Sequence, residues 1–238
     1  MLPAAVTFDF HNTLACCDHW FDLEVRNLAP AFLEWHLGEP GALSDEQRAE
    51  AVAAYRVVRQ EIIDSGVERD ASVCLQEVLT VLGFELERTR IDQGIDQLMN
   101  AALASCSPQP GAVETVRAFT AAGVPLAVVS SAAHHDFIEW SLTRFGVRSS
   151  FRHIISSASC GIYKSNPEIY RETARRLAAE PSAVVHVGDS HRYDVVSASR
   201  AGLRTVWLNW SGEPEPEPRA DWVVERFSDL PPLLLGEG

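Results

Sequence analysis

A chain of 238 residues with a formal net charge of −13 is ill suited to non-specific nucleic-acid binding, which depends on neutralising phosphates with Lys and Arg. Its 46% hydrophobic and 22% charged content is that of an ordinary globular protein, long enough for one large domain or one domain with a second inserted. There is no basic stretch leading an apolar run at the N-terminus and no uninterrupted apolar stretch of about 18 residues, so a cytoplasmic protein that does not enter a membrane is expected.

The first element is the run Ala5-Val6-Thr7-Phe8, apolar and β-branched, which predicts a short strand buried on both faces. Such a strand has no use for a carboxylate inside it, so Asp9 marks its C-terminal end. Asn12 tolerates left-handed backbone and Thr13 supplies a hydroxyl, as suits a turn around a small polar site. The five cysteines (Cys16, Cys17, Cys74, Cys106, Cys160) are odd in number and lack CxxC spacing, and they read as free thiols.

From Trp20 to Leu37 the apolar residues Phe21, Val25, Leu28, Phe32 and Leu33 recur at helical spacing, with Pro30 expected to kink or split the helix. A second helix opens at Ser44, where Gln47 completes a capping box, and runs to Ser65-Gly66. Two more fit Ala71 to Leu82 and Arg88 to Leu103. Ser105 to Gly111 reads as a linker. Residues 16–107 are therefore expected to form an all-helical domain.

Beyond Gly111 helix and strand alternate. Helices are predicted over Val113–Ala122, Asp136–Phe145, Pro167–Ala179 and Asp194–Ala201. Strands are predicted over Pro125–Ser130, His153–Ser157, Ala183–Val187 and Arg204–Leu208. Ser211 to Pro218 reads as an acidic, extended connector. This alternation predicts an α/β fold, a Rossmann-like parallel sheet with helices on both faces, built from residues 1–15 and 108–238 and interrupted by the helical insertion.

In a parallel sheet the strand C-termini lie along one edge, and here they end in polar residues: Asp9, Ser130-Ser131, and Gly188-Asp189-Ser190 followed by Asp194. Lys164 stands in the loop Gly161–Pro167. It is the single lysine among 20 basic residues, so a role that arginine does not fill is expected of it. Asp9 and Asp189 suit a shared Mg²⁺. Ser130 and Lys164 suit phosphate oxygens, and a carboxylate beside a bound phosphoryl group can serve as its nucleophile.

This set, Asp9-Phe10-His11-Asn12-Thr13-Leu14, then Ser130, Lys164, and Gly188-Asp189-Ser190 with Asp194, resembles the haloacid dehalogenase-like hydrolase superfamily. The motifs occur in the family's order, and the helical insertion looks like its C1 cap. The resemblance implies a hydrolase, a Mg²⁺-dependent phosphatase of a small phosphorylated metabolite acting through an aspartyl-phosphate. By that resemblance Asp9 is the nucleophile, Thr13, Ser130, Ser131 and Lys164 contact the substrate, and Asp9, Asp189 and the carbonyl of His11 hold the metal. Asp194 either supports the metal through water or positions Lys164.

Two residues depart from the family's pattern. His11 stands where phosphatases of the family usually carry an acid–base Asp, and Asn12 stands for the usual Gly. His11 can do acid–base work near neutral pH, or it marks a phosphate-binding or regulatory protein with impaired turnover. A 2-haloacid dehalogenase is a further alternative, although paired Asp189 and Asp194 suit a metal better. A phosphonatase would need a lysine in the helical insertion, which has none.

Overall fold

The computed structural model describes residues 2–236. Strand β1 (Ala5–Phe8) is fully buried and forms the centre of a six-stranded parallel sheet of order β5-β4-β1-β6-β7-β8. Its neighbours are β4 (Leu126–Ser130) and β6 (Val184–Gly188), themselves flanked by β5 (Phe151–Ser156) on one side and β7 (Arg204–Leu208) and β8 (Trp222–Val224) on the other. The register pairs Phe8, the last residue of β1, with Val128 of β4 and with Val187 of β6, so β4 runs two residues and β6 one residue beyond the end of β1.

Alternation along β1 divides the core. Val6 and Phe8 face one hydrophobic cluster and Ala5 the other, as the two-residue period of a strand requires. On the first face Phe8 packs against Phe119 of α6 (Ala112–Ala121) and against Phe227, at 6.1 and 6.2 Å between ring centroids. On the second, Ala5 and Val184 meet Ile169 and Ala174 of α9 (Glu168–Arg176).

Between β1 and β4 the chain forms the helical block: α1 (Asp18–Asp22), α2 (Leu28–Leu37), α3 (Asp45–Ser65), α4 (Ala71–Val81) and α5 (Arg88–Leu103). The capping box of Ser44 and Gln47 is present at the start of α3. Pro30 does not split the first helix. The segment Leu23–Asn27 instead widens into a π-turn just upstream. Pro30 lacks an N–H and its ring crowds the carbonyl of Arg26, four residues back, and the wider turn accommodates both defects. Trp20 stacks flat on Phe137 of α7 (His135–Arg144), 4.8 Å between centroids and 4° between planes. That contact anchors the block to the sheet's flank.

The two connections to this block are more ordered than linkers. The first, β2 (Ala15–Cys16), pairs antiparallel with the second, β3 (Ser107–Pro108).

The short helix α8 (Ser157–Cys160) follows β5. After β6 the chain forms a π-turn at His191–Ser197 continued by α10 (Ala198–Arg200), so the helix expected from Asp194 begins three residues earlier. The acidic segment after Ser211 is a loop, and the chain then adds β8 and α11 (Leu230–Leu235), which periodicity does not reveal. β8 has three residues. Asp221 just before it accepts from Thr205 N at 2.8 Å and sets it against β7. Among the described residues no helix is long and apolar enough to cross a membrane.

Candidate active site

The strand order reverses about β1: the chain runs from β1 to β4 and β5 on one side, then returns to β6 and β7 on the other. A crevice opens at such a switch point beyond the strand C-termini, and here it holds a cavity of about 390 Å³. From the sheet edge Asp9, Ser130, Ser131, Lys164, Asp189 and Ser190 line it.

Asp9 follows β1 and is fixed by its N–H, which donates to Val187 O at 2.9 Å. Lys164 Nζ donates to Asp9 Oδ1 at 2.7 Å and to Asp194 Oδ1 by a shorter contact. The lysine is buried, and its backbone is pinned on both sides: its N–H reaches Ser131 Oγ at 3.4 Å and its carbonyl accepts from Ser197 Oγ at 2.6 Å. Burial works against its charge, but Asp194 and Asp9 more than offset this and hold its pKa well above the usual lysine value.

Asp194 is fully buried and both its oxygens are engaged. Besides Lys164, Oδ1 accepts from His186 Nε2 at 3.0 Å, and Oδ2 accepts from Ser190 N at 2.9 Å. His186 in turn contacts Thr7 Oγ1 through Nδ1 at 2.8 Å. Burial opposes the Asp194 charge, yet Lys164 and His186 keep its pKa below the usual carboxylate range. Asp194 thus sits directly on Lys164.

Asp189 is different. Among the described residues it has no cation of its own, and burial with the charges of Asp9 and Asp194 pushes its pKa up to about 8. Asp9 is raised too, by burial and Asp194, with Lys164 opposing. Asp9, Asp189 and Asp194 each bring an oxygen within 4.8 Å of the others. One ammonium faces three carboxylates, and the donor set is all oxygen, as a hard divalent cation requires.

Thr13, a residue expected at the substrate, is fully buried and is not among the residues that line the cavity. Its hydroxyl donates to Asp189 Oδ1 at 3.0 Å and accepts from Asp189 N at 3.2 Å. Thr13 therefore braces Asp189 and does not line the cavity. Asn12 takes a φ of +56°, the left-handed turn that brings Thr13 back under the sheet edge. His11 lines the cavity, its ring stacked on Phe21 at 4.1 Å and 1°, with Nε2 3.4 Å from Asp18 Oδ1. Burial lowers its pKa, and Asp18 partly opposes this.

Gly188 has a local reason. A Cβ built there would fall inside the Asp194 carboxyl group. Gly188→Ala is therefore expected to push Asp194 off Lys164, destabilising the protein by about 1–3 kcal/mol and lowering turnover. A thermal melt read beside kcat checks this, and unchanged values in both would show that the carboxyl group relaxes freely.

The helical block supplies the opposite wall: Trp20, Phe21, Glu24 and Val25 from the first helix, Arg59 and Ile63 from α3. Glu24 and Arg59 escape a reading of motifs. Arg59 is held by Glu68 through a two-pronged contact, 2.8 and 3.3 Å. Glu24 accepts from the N–H groups of Ala133 and His134, both at 2.9 Å, and burial pushes its pKa up to about 7. Each was findable as a charge on an apolar helix face: Glu24 is four residues from Trp20 and Leu28, and Arg59 is four from Tyr55 and three from Ile62. His134 and His135 line a separate groove with Asp96, and His191 contacts Pro218 O.

A sequence model of the haloacid dehalogenase-like hydrolases matches residues 3–202. The chain is 29% identical over 233 residues to a glyceraldehyde 3-phosphate phosphatase of Methanopyrus kandleri, covering 97% of this chain and 95% of that one. It is 30% identical over 153 residues to a pyrimidine 5'-nucleotidase of Escherichia coli, covering 62% and 67% respectively. The solved structure of a 2-haloacid dehalogenase from Pseudomonas syringae superposes with a TM-score of 0.74 at 21% identity, covering 99% of each chain; at that identity the likeness is one of fold. With its family model spanning most of the chain and the sheet-edge residues standing in the family's order, this protein belongs to the haloacid dehalogenase-like hydrolases.

Proposed function

We propose that the protein is a Mg²⁺-dependent phosphatase of a small phosphate monoester, with residues 16–107 acting as a cap over a core of residues 1–15 and 108–238. The observation that carries this reading is the Asp189 carboxyl group, which lies beside Asp9 with no cationic partner among the described residues, in a cavity that Ser130 and Lys164 also enter. A dehalogenase needs no cation at that point, and a phosphatase does. Asp9 and Asp189 would hold the ion, with Asp194 kept behind them on Lys164. When bound, the ion supplies charge neutralisation to the phosphoryl oxygens.

The chain's own residues do the rest. Asp9 attacks phosphorus with its carboxylate while Ser130 and Lys164 hold the phosphoryl oxygens. The P–O bond to the substrate breaks as Asp9 is phosphorylated, and water later attacks the same phosphorus to release phosphate and regenerate Asp9. His11, on the cavity wall, hands a proton to the leaving oxygen and takes one from the attacking water. The apolar surface of Trp20, Phe21 and Val25 keeps bulk water out of the cavity.

The test is turnover of a panel of phosphate esters, including glyceraldehyde 3-phosphate and a pyrimidine 5'-nucleotide, with Mg²⁺ and with a chelator, and of 2-chloropropionate alongside. Release of phosphate only with Mg²⁺ is the expected result, and chloride release without metal would move the dehalogenase reading ahead. His11 gives the second prediction. His11→Ala is expected to lower kcat by about 10²–10⁴-fold with a smaller effect on KM, and His11→Asp to retain or raise it. A wild-type protein inactive on every ester while His11→Asp is active would favour a phosphate-binding protein with impaired turnover.

A further inference from the structure

We infer that Cys17 and Cys106 form an oxidisable pair, a modification site at which a peroxide closes a disulfide across the ribbon joining the helical block to the sheet.

Ala15 faces Pro108 and Cys16 faces Ser107 in the antiparallel pair of β2 and β3, and one step further places Cys17 opposite Cys106. The N–H of Gln109 donates to Leu14 O at 3.0 Å, which makes Leu14 and Gln109 a hydrogen-bonded rung and Cys16 and Ser107 the next. Pro108, having no N–H, sits between them. Cys17 and Cys106 therefore fall at a non-hydrogen-bonded position, where facing Cα atoms are about 4.5 Å apart and side chains approach most closely. That spacing lies within the range of about 4.4–6.8 Å that a disulfide spans.

Each thiol influences the other's protonation, and both residues are buried. Cys17 Sγ lies 3.9 Å from Ala15 O. Cys106 Sγ also lies 3.5 Å from Ser141 Oγ. Its contacts with Cys17 and Ser141 and the nearby Arg144 guanidinium favour its thiolate, against the burial that opposes it, whereas burial pushes the Cys17 thiol up. Cys106 is thus the attacking sulfur and Cys17 the resolving one. Cys16 alternates to the exposed face of the strand and points away from the pair.

The chemistry balances with a peroxide as oxidant. The Cys106 thiolate attacks one peroxide oxygen, the O–O bond breaks, and with one proton the products are a sulfenic acid and water. The Cys17 thiol then displaces hydroxide from that sulfur, giving the S–S bond and a second water. Two thiols are oxidised and one peroxide is reduced. The bond ties the entry of the helical block to its exit, closing a loop from residue 17 to residue 106. A covalent closure of that length restricts the unfolded chain strongly.

The experiment treats the whole protein with hydrogen peroxide, blocks remaining thiols under denaturing conditions, and maps the digest by mass. The expected product has lost two hydrogens, links the peptides of Cys17 and Cys106, reverts with dithiothreitol, and melts roughly 5–15 °C higher than the reduced form. Cys17→Ser and Cys106→Ser should each lose both the link and the shift, and Cys16→Ser should keep them. Oxidation that leaves Cys17 and Cys106 open to blocking, or that carries either to sulfinic acid without a link, would overturn the inference. The mapping of the wild-type protein decides the matter even where a serine variant fails to fold.

Discussion

Asp9→Asn is expected to cut kcat by at least about 10⁴-fold while the protein remains folded, because the change removes a nucleophile and almost nothing else. The carboxylate is buried at the end of β1, and the amide matches it in shape. Its oxygen can still accept from Lys164 Nζ, which now lies 2.7 Å from Asp9 Oδ1. What changes is charge. Asp9 is one of the groups that raise Asp189 to about 8, so the Asn variant relieves crowding among the carboxylates and should melt no lower than the wild type by more than about 1 kcal/mol in stability. Steady-state turnover and a thermal melt on the same preparation check both halves. Retained turnover would remove the covalent mechanism.

The second large effect is expected at Lys164. Lys164→Met takes away the one ammonium between Asp9 and Asp194 and leaves both carboxylates buried without it. Breaking a buried ion pair on one side costs about 3–5 kcal/mol, and turnover should be lost with it. Because Asp194 is held below its usual range in the folded protein, its contribution is present above the ordinary aspartate value of about 3.9 and is lost as pH falls through the lowered folded value. The stability gap between wild type and Lys164→Met should therefore be widest near neutral pH and narrow in strong acid. Added Mg²⁺ should recover part of it. Lys164→Arg keeps the charge, yet a planar fork does not fit where a compact ammonium reaches two carboxylates, so reduced kcat is expected there too. Denaturant unfolding at several pH values measures the gap, and a gap that widens in acid would contradict the assignment.

The chemistry was legible in the sequence where a polar residue ends an apolar run. Asp9, Ser130 and Asp189 announce themselves in this way, and Lys164 by being the single lysine. The sheet and the helices of the insertion follow from period and capping, as the box at Ser44 and Gln47 shows. Other features were hidden for physical reasons. Thr13 has the right chemistry for a ligand, but its direction depends on the left-handed turn at Asn12, which swings its hydroxyl to Asp189. Which of its two roles Asp194 plays depends on His186, a histidine inside a strand that becomes its partner only when the chain folds. β2 and β3 are two residues each and have no period to read. Glu24 and Arg59 are visible only as charges on helix faces that otherwise pack, and what they face is fixed by tertiary structure.

Whether Asp9 carries the phosphoryl group is tested most directly by rapid acid quench of the wild-type protein turning over a phosphate ester with Mg²⁺, followed by mass analysis of the digest. One phosphoryl group on the peptide containing Asp9, absent when Mg²⁺ is chelated and labile in mild base, is the predicted result. Steady phosphate release with no adduct at any quench time, or an adduct on another residue, would contradict it.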